Sequence, residues 1–77
     1  MEGRLKIYGE TAEAILDDGN TTEIKIGDRF EVLVFSALLR FEWITVQLEK
    51  NEQGLFLKAP ASRPVDIKKV SKIRIEV

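Results

Sequence analysis

The residues in this chain best placed to do chemistry are apolar and aromatic rather than ionisable. Phe35, Leu38, Leu39, Phe41 and Trp43 fall within nine positions of a chain that has only six aromatic residues. Large rings beside Arg40 suit a protein contact, because Trp and Arg are enriched among the residues that dominate binding energy. A loop has difficulty burying so many large apolar groups by itself. The segment 35–43 is therefore read as a protein-binding or self-association surface carried by Leu38, Leu39, Arg40, Phe41 and Trp43. The same residues also have a structural use. A longer strand, or a helical turn over 37–40 capping an open barrel end, would recruit them into the core, and thin cores recruit what apolar residues they have.

A second constellation is basic. Residues 1–57 hold six Lys and Arg against eleven Asp and Glu, net −5, whereas residues 58–77 hold six against two, net +4. Lys58, Arg63, Lys68, Lys69, Lys72 and Arg74 could track phosphates, with Phe56 stacking on a base, which makes a nucleic-acid-binding segment over 58–74 the alternative function. The bland counterpart is a solvated face that answers the acidic half of the chain. An overall net charge of −1 falls short of the basic profile of most nucleic-acid binders. A third use of the aromatics is a shallow groove for an extended or Pro-rich peptide, lined by Tyr8, Phe41, Trp43 and Phe56.

Catalysis finds little support. The chain has no Cys and no His, so it lacks a thiolate nucleophile, the commonest general base and the commonest transition-metal ligand. Glu10, Glu13, Glu31 and Glu42 offer carboxylates, but no pair sits at a spacing that favours acid/base partnership over a solvated strand face. Asp17-Asp18-Gly19-Asn20 is acidic, yet it lacks the alternating ligands and distal Glu of a calcium loop and reads as a turn. No Gly-rich phosphate loop or metal motif occurs. The expectation is a non-enzymatic module with no metal, no cofactor and no small-molecule substrate, whose partner is another protein or a second copy of the chain.

Seventy-seven residues make a single domain, 1–77, and 44% hydrophobic with 32% charged residues is a globular composition. No apolar run is long enough for a signal-peptide core or a membrane span, so a cytoplasmic protein without membrane contact is expected. Period-two alternation dominates. Leu5 and Ile7 alternate with Arg4, Lys6 and Tyr8. Short segments follow at Glu13–Leu16 and Thr22–Ile26, the latter with Ile24 and Ile26 on one side. Phe30–Phe35 reads as a central strand apolar on both faces, and Phe41–Lys50 alternates with Trp43 in parity with Thr45, Gln47 and Glu49, the solvent side. Asn51–Gly54 suits a hairpin loop of about four residues before Leu55–Lys58. Pro60 and Pro64 break the pattern, Val65–Val70 has room for one helical turn, and Lys72–Val77 closes with Ile73, Ile75 and Val77 on one face.

Short strands at this spacing, with turns between them and no sustained helix, predict an all-β fold: a small SH3-like barrel of five or six short antiparallel strands. A five-stranded oligonucleotide-binding barrel is the second choice. Gly27-Asp28-Arg29-Phe30-Glu31-Val32-Leu33-Val34, then Trp43 to Glu49, Gly54-Leu55-Phe56-Leu57 and the closing Ile73-Arg74-Ile75 carry a resemblance over residues 24–77. In that order they resemble a small bacterial and mobile-element domain family of unknown function. The resemblance implies a compact SH3-like β fold and no activity. One departure stands out: the family pattern reaches its Trp through a short polar turn, whereas here the apolar Phe35–Glu42 stretch intervenes.

Overall fold

The computed structural model describes residues 1–35, 39–59 and 65–76. Among them, each period-two segment contains a strand: β1 (Glu2–Tyr8), β2 (Thr11–Leu16), β3 (Thr21–Ile24), β4 (Arg29–Phe35), β5 (Phe41–Asn51), β6 (Gly54–Lys58) and β7 (Val70–Arg74). The closing strand expected over Lys72–Val77 starts two residues earlier and stops at Arg74, with Ile75 beyond its end and Val77 outside the described residues. The fold is all-β, with seven antiparallel strands rather than five or six, in one sheet of order β3-β2-β1-β7-β4-β5-β6. One 3-10 turn, Ile67–Lys69, precedes β7 inside the window expected for a helical turn. Asp66 caps it, its Oδ1 accepting the Lys68 amide at 2.9 Å. No helix among the described residues is long and apolar enough to cross a membrane.

Two three-stranded meanders, β1–β3 and β4–β6, are joined edge to edge by β7, which pairs with β1 through Glu2↔Arg74 and Gly3↔Ile73 and with β4 from Glu31↔Arg74 to Val34↔Val70. A flat sheet would leave one face wet. Here Ala12 and Ala14 near one edge, and Val46, Leu48 and Leu57 near the other, are all exposed by 1% or less and belong to one core with Val32 and Ile73. The sheet therefore rolls over its own apolar face. A salt bridge across the roll shows the same curvature: Glu10, in the β1–β2 turn, meets Lys50 near the end of β5 at 2.7 Å. The Cα trace measures 33 × 32 × 18 Å, its short axis matching two sheet layers about 10 Å apart.

Local chemistry sets the turns and the parity. At Asp17–Asn20 the Asp18 carboxylate accepts the Asn20 amide at 2.9 Å and Gly19 takes a φ of 92°, so the acidic cluster is a turn. β4 alternates rather than being apolar on both faces: Phe30, Val32 and Val34 are buried, Glu31 and Leu33 half-buried and Phe35 exposed. Strand β3 ends at Ile24, and the turn at Gly27 leaves Ile26 outside, 55% exposed. Asn51 pairs with Gly54, so only Glu52 and Gln53 form the tight β5–β6 loop. In β7 the register slips between Leu33 and Val34, which places Ser71 as an extra residue. That bulge lets Val70 pack against the core while Lys72, two positions on, pairs with Leu33.

Gly3 is where β1, β2 and β7 crowd together, paired with both Leu16 and Ile73. A Cβ at Gly3 would lie 2.3 Å from the Ile15 carbonyl oxygen and 2.8 Å from the Leu16 Cα. Backbone cannot swing aside as a side chain does, so Gly3→Ala forces the first hairpin apart. The expected cost is about 1–3 kcal/mol, or about 5–20 °C in thermal midpoint for a domain of this size. Circular-dichroism melts measure it, and an unchanged midpoint would refute the close approach.

Candidate functional site

β4 and β5 part at the pair Phe35↔Phe41, the end of their hairpin. The two rings meet edge-on with centroids 5.3 Å apart and planes inclined by 69°. They are not core: Phe35 is 54% exposed, Phe41 59% and Leu39, in the connection, 80%. Leu39 also adopts φ 60°, the one non-glycine residue among the described ones at positive φ. A side chain with a Cβ loses about 1–2 kcal/mol in this left-handed region. The loop thus holds a leucine in water in a strained conformation, and such strain clusters at functional positions. Beside it, Arg40 Nε donates to Glu42 Oε1 at 3.1 Å.

The outward face of β7, β4 and β5 continues from this tip. Trp43 pairs with Leu33, in parity with Thr45, Gln47 and Glu49, and is half-buried because the Arg74 guanidinium lies over its ring at 4.2 Å. Arg74 in turn donates from Nε to Glu31 Oε1 at 2.9 Å, and Lys72 Nζ reaches Glu2 Oε1 at 3.0 Å. Each contact follows from strand order: Arg74 stands opposite Glu2 on one side and Glu31 on the other. The hydrogen bond from Lys72 holds the Glu2 carboxyl below the usual range, and Glu2 raises the Lys72 ammonium. Lys50 lowers the Glu10 carboxyl in the same way, while Glu31 raises the Arg74 guanidinium.

Of the residues proposed for protein binding, Leu39, Arg40 and Phe41 are gathered at the tip with Phe35, and Trp43 lies one outward position further along β5. Leu38 lies outside the described residues, as does Arg63 of the basic set. That basic set is scattered. Lys58 sits on β6 opposite Gln47, Lys68 and Lys69 in the 3-10 turn, and Lys72 and Arg74 are held by glutamates on neighbouring strands. The four-aromatic groove does not assemble: Tyr8 is on β1, three strands from Trp43, and Phe56 pairs with Glu49 about 20 Å along β5 from it. The sequence alone did not single out Glu2, and it offered Glu31 as a carboxylate without its partner Arg74. Only the strand order pairs them with the tail.

A wide notch of about 780 Å³ opens at the far end of β4, walled by Glu23, Asp28, Arg29, Glu31, Arg74 and Glu76. Its cations are engaged, Arg74 by Glu31 and Arg29 by the Gln47 side chain at 3.2 Å. Ile24, Phe30 and Ile75 also line it, so it is an open indentation of mixed character. Comparison with protein-family models, curated proteins and solved structures finds no match to this chain. The functional reading therefore rests on the residues and their geometry.

Two expectations follow from this face. Trp43 is the only tryptophan, so Arg74→Ala should uncover its ring and shift its fluorescence emission to longer wavelength; an unmoved spectrum would mean the stack does not persist in solution. The lowered carboxyls carry a sign as well. Glu2 and Glu10 titrate lower folded than unfolded, so their contribution is complete above the usual carboxylate range and is lost as pH falls through it. A Glu2→Gln, Glu10→Gln protein should melt below the wild type near pH 6, with the gap closing toward pH 3 and in high salt. A gap independent of pH would exclude the ion pairs as its source.

Proposed function

We propose that this chain is a non-enzymatic, cytoplasmic protein-interaction module that docks through the tip of its β4–β5 hairpin. Phe35, Leu39 and Phe41 are the anchors, with Arg40 and Trp43 beside them. The observation that carries this reading is three large apolar side chains at one hairpin end, each more than half exposed, two of them ring against ring and the third in left-handed backbone. Burying the area each still exposes would gain about 1–2 kcal/mol per side chain, a gain the free chain leaves unused. The absence of His and Cys from the sequence favours binding over catalysis. A small SH3-like barrel is the architecture we propose for the rolled sheet, in keeping with the resemblance over residues 24–77, and the tip falls within the Phe35–Glu42 stretch where the chain departs from that pattern.

The nucleic-acid alternative has less behind it. Lys72 and Arg74 already face carboxylates at 3.0 and 2.9 Å, and Lys58 stands apart on β6. Phosphate tracking needs a continuous run of available cations.

Leu39→Asn tests the proposal, because asparagine accepts the left-handed conformation while removing the apolar group. The variant should melt no lower than the wild type, since it relieves strain at an exposed site. It should lose the proteins that the wild-type chain recovers from host-cell extract, whereas Glu13→Lys on the outward face of β2 should keep them. An identical set of recovered proteins for Leu39→Asn would overturn the proposal. A clear loss of stability would assign Leu39 to the fold instead.

A further inference from the structure

The hairpin tip is apolar, but its surroundings carry a sign. β7 pairs with β4 as far as Val34↔Val70. One position beyond that pair, β4 presents Phe35 and the lead-in to β7 presents Lys69, with Lys68 before it in the same 3-10 turn. The two lysines therefore stand at the aromatic end of the sheet. Both are exposed, and neither has an ion-pair partner among the described residues. Segments 36–38 and 60–64 contain no Asp or Glu that could supply one. The nearest carboxylate in sequence, Asp66, accepts the Lys68 amide as the cap of the turn and makes no ion pair with either lysine, and its single charge leaves the turn net positive. The basic residues further down β7 differ, since Lys72 and Arg74 each face a glutamate.

Resting on the hairpin reading above, we infer that the partner of this tip is an acidic, apolar peptide segment. Its large apolar side chains cover Phe35, Leu39 and Phe41, and its carboxylates face Lys68 and Lys69. Charge complementarity selects this occupant over a second copy of the chain. Two tips meeting symmetrically would gather the lysines of both copies around one interface with no added carboxylate to answer them, and like charge concentrated at an interface suppresses that pairing. The apolar anchors supply affinity, while the lysines decide which apolar segments are accepted and how fast they are found.

A displayed library of short random peptides, selected at low salt against the full chain, tests the inference. The enriched peptides should be net negative with two or more large apolar residues. Their affinity for a Lys68→Glu, Lys69→Glu protein should fall about fivefold, and that protein should enrich net positive apolar peptides instead. Enrichment without charge preference, enrichment of basic peptides by the wild type, or no enrichment would each overturn the inference. So would binding confined to phosphatidylserine vesicles, or a concentration-dependent dimer in sedimentation equilibrium. Leu39→Asn separates the two levels. If it abolishes enrichment while charge reversal changes nothing, the hairpin reading stands and the acidic partner fails. If charge reversal abolishes enrichment and Leu39→Asn does not, the lysines act alone and the hairpin reading fails.

Discussion

A sheet with no second layer has to be its own cover, and this requirement shapes the rest of the molecule. Ile73 marks where it is met: fully buried, it sits in the strand that stitches Gly3 on one side to Val32 on the other, so both meanders hinge on β7. The two inner faces differ in grain. Gly3, Ala12 and Ala14 make the middle of the β1–β3 side small between Leu16 and Ile24, while Phe30, Leu48 and Leu57 make the β4–β6 side large. Small against large lets two layers interdigitate at the spacing that packed sheets need. The Ser71 bulge belongs to the same solution, because bulges add local twist and a rolled sheet needs twist. It also turns Val70 toward the core, which an uninterrupted strand would have pointed at water.

Strands were the legible part. Alternation at Arg4–Tyr8, Glu13–Leu16 and Phe41–Lys50, and in the first half of Lys72–Val77, is a period-two signal that tertiary context had no reason to override. What alternation cannot carry is neighbourhood. That β7 lies between β1 and β4 is a choice among topologies, and with it came the glutamate partners of Lys72 and Arg74, respectively 70 and 43 positions away in sequence. A charge count gave the acidic half and the basic tail as compensating totals; it could not say that two tail cations are held one by one while Lys68 and Lys69 are not. Ile26 escaped for a local reason. It shares parity with Ile24, but parity means nothing once the strand has ended, and β3 ends at Ile24, ahead of the Lys25–Asp28 turn that Gly27 completes. At the tip, the sequence placed the apolar cluster and left its burial open, because Phe35 and Phe41 have the composition of core and only the hairpin register puts them past the last covered pair.

The two outer edges of the sheet bear on how the molecule can meet anything else. A bare edge is a template for a further strand. Here Asp28 engages both the amide and the carbonyl of Lys25 just beyond β3, at 2.9 Å each. On the far side, the Val65 amide donates to the Leu57 carbonyl of β6 at 2.9 Å. Both edges are short as well, four residues for β3 and five for β6. Strand addition thus has little backbone to grip, which turns attention from main chain to side chains as the means of contact.

Side chains on the outer face of β7, β4 and β5 are already engaged with one another. Arg74 covers Trp43 and holds Glu31, Lys72 holds Glu2, and Gln47 spans from Arg29 to Glu49. A partner landing there would have to break those contacts before forming its own, and desolvating paired charges gains little. The hairpin end is different because β4 and β5 have no further strand to shield what projects beyond Phe35 and Phe41. An apolar residue there costs the fold no ladder bond and lends the core no cover. Leu39 in left-handed backbone follows the same logic: the strain is confined to a connection whose conformation the sheet does not depend on, so a contact surface can be maintained there without weakening the roll that holds the rest together.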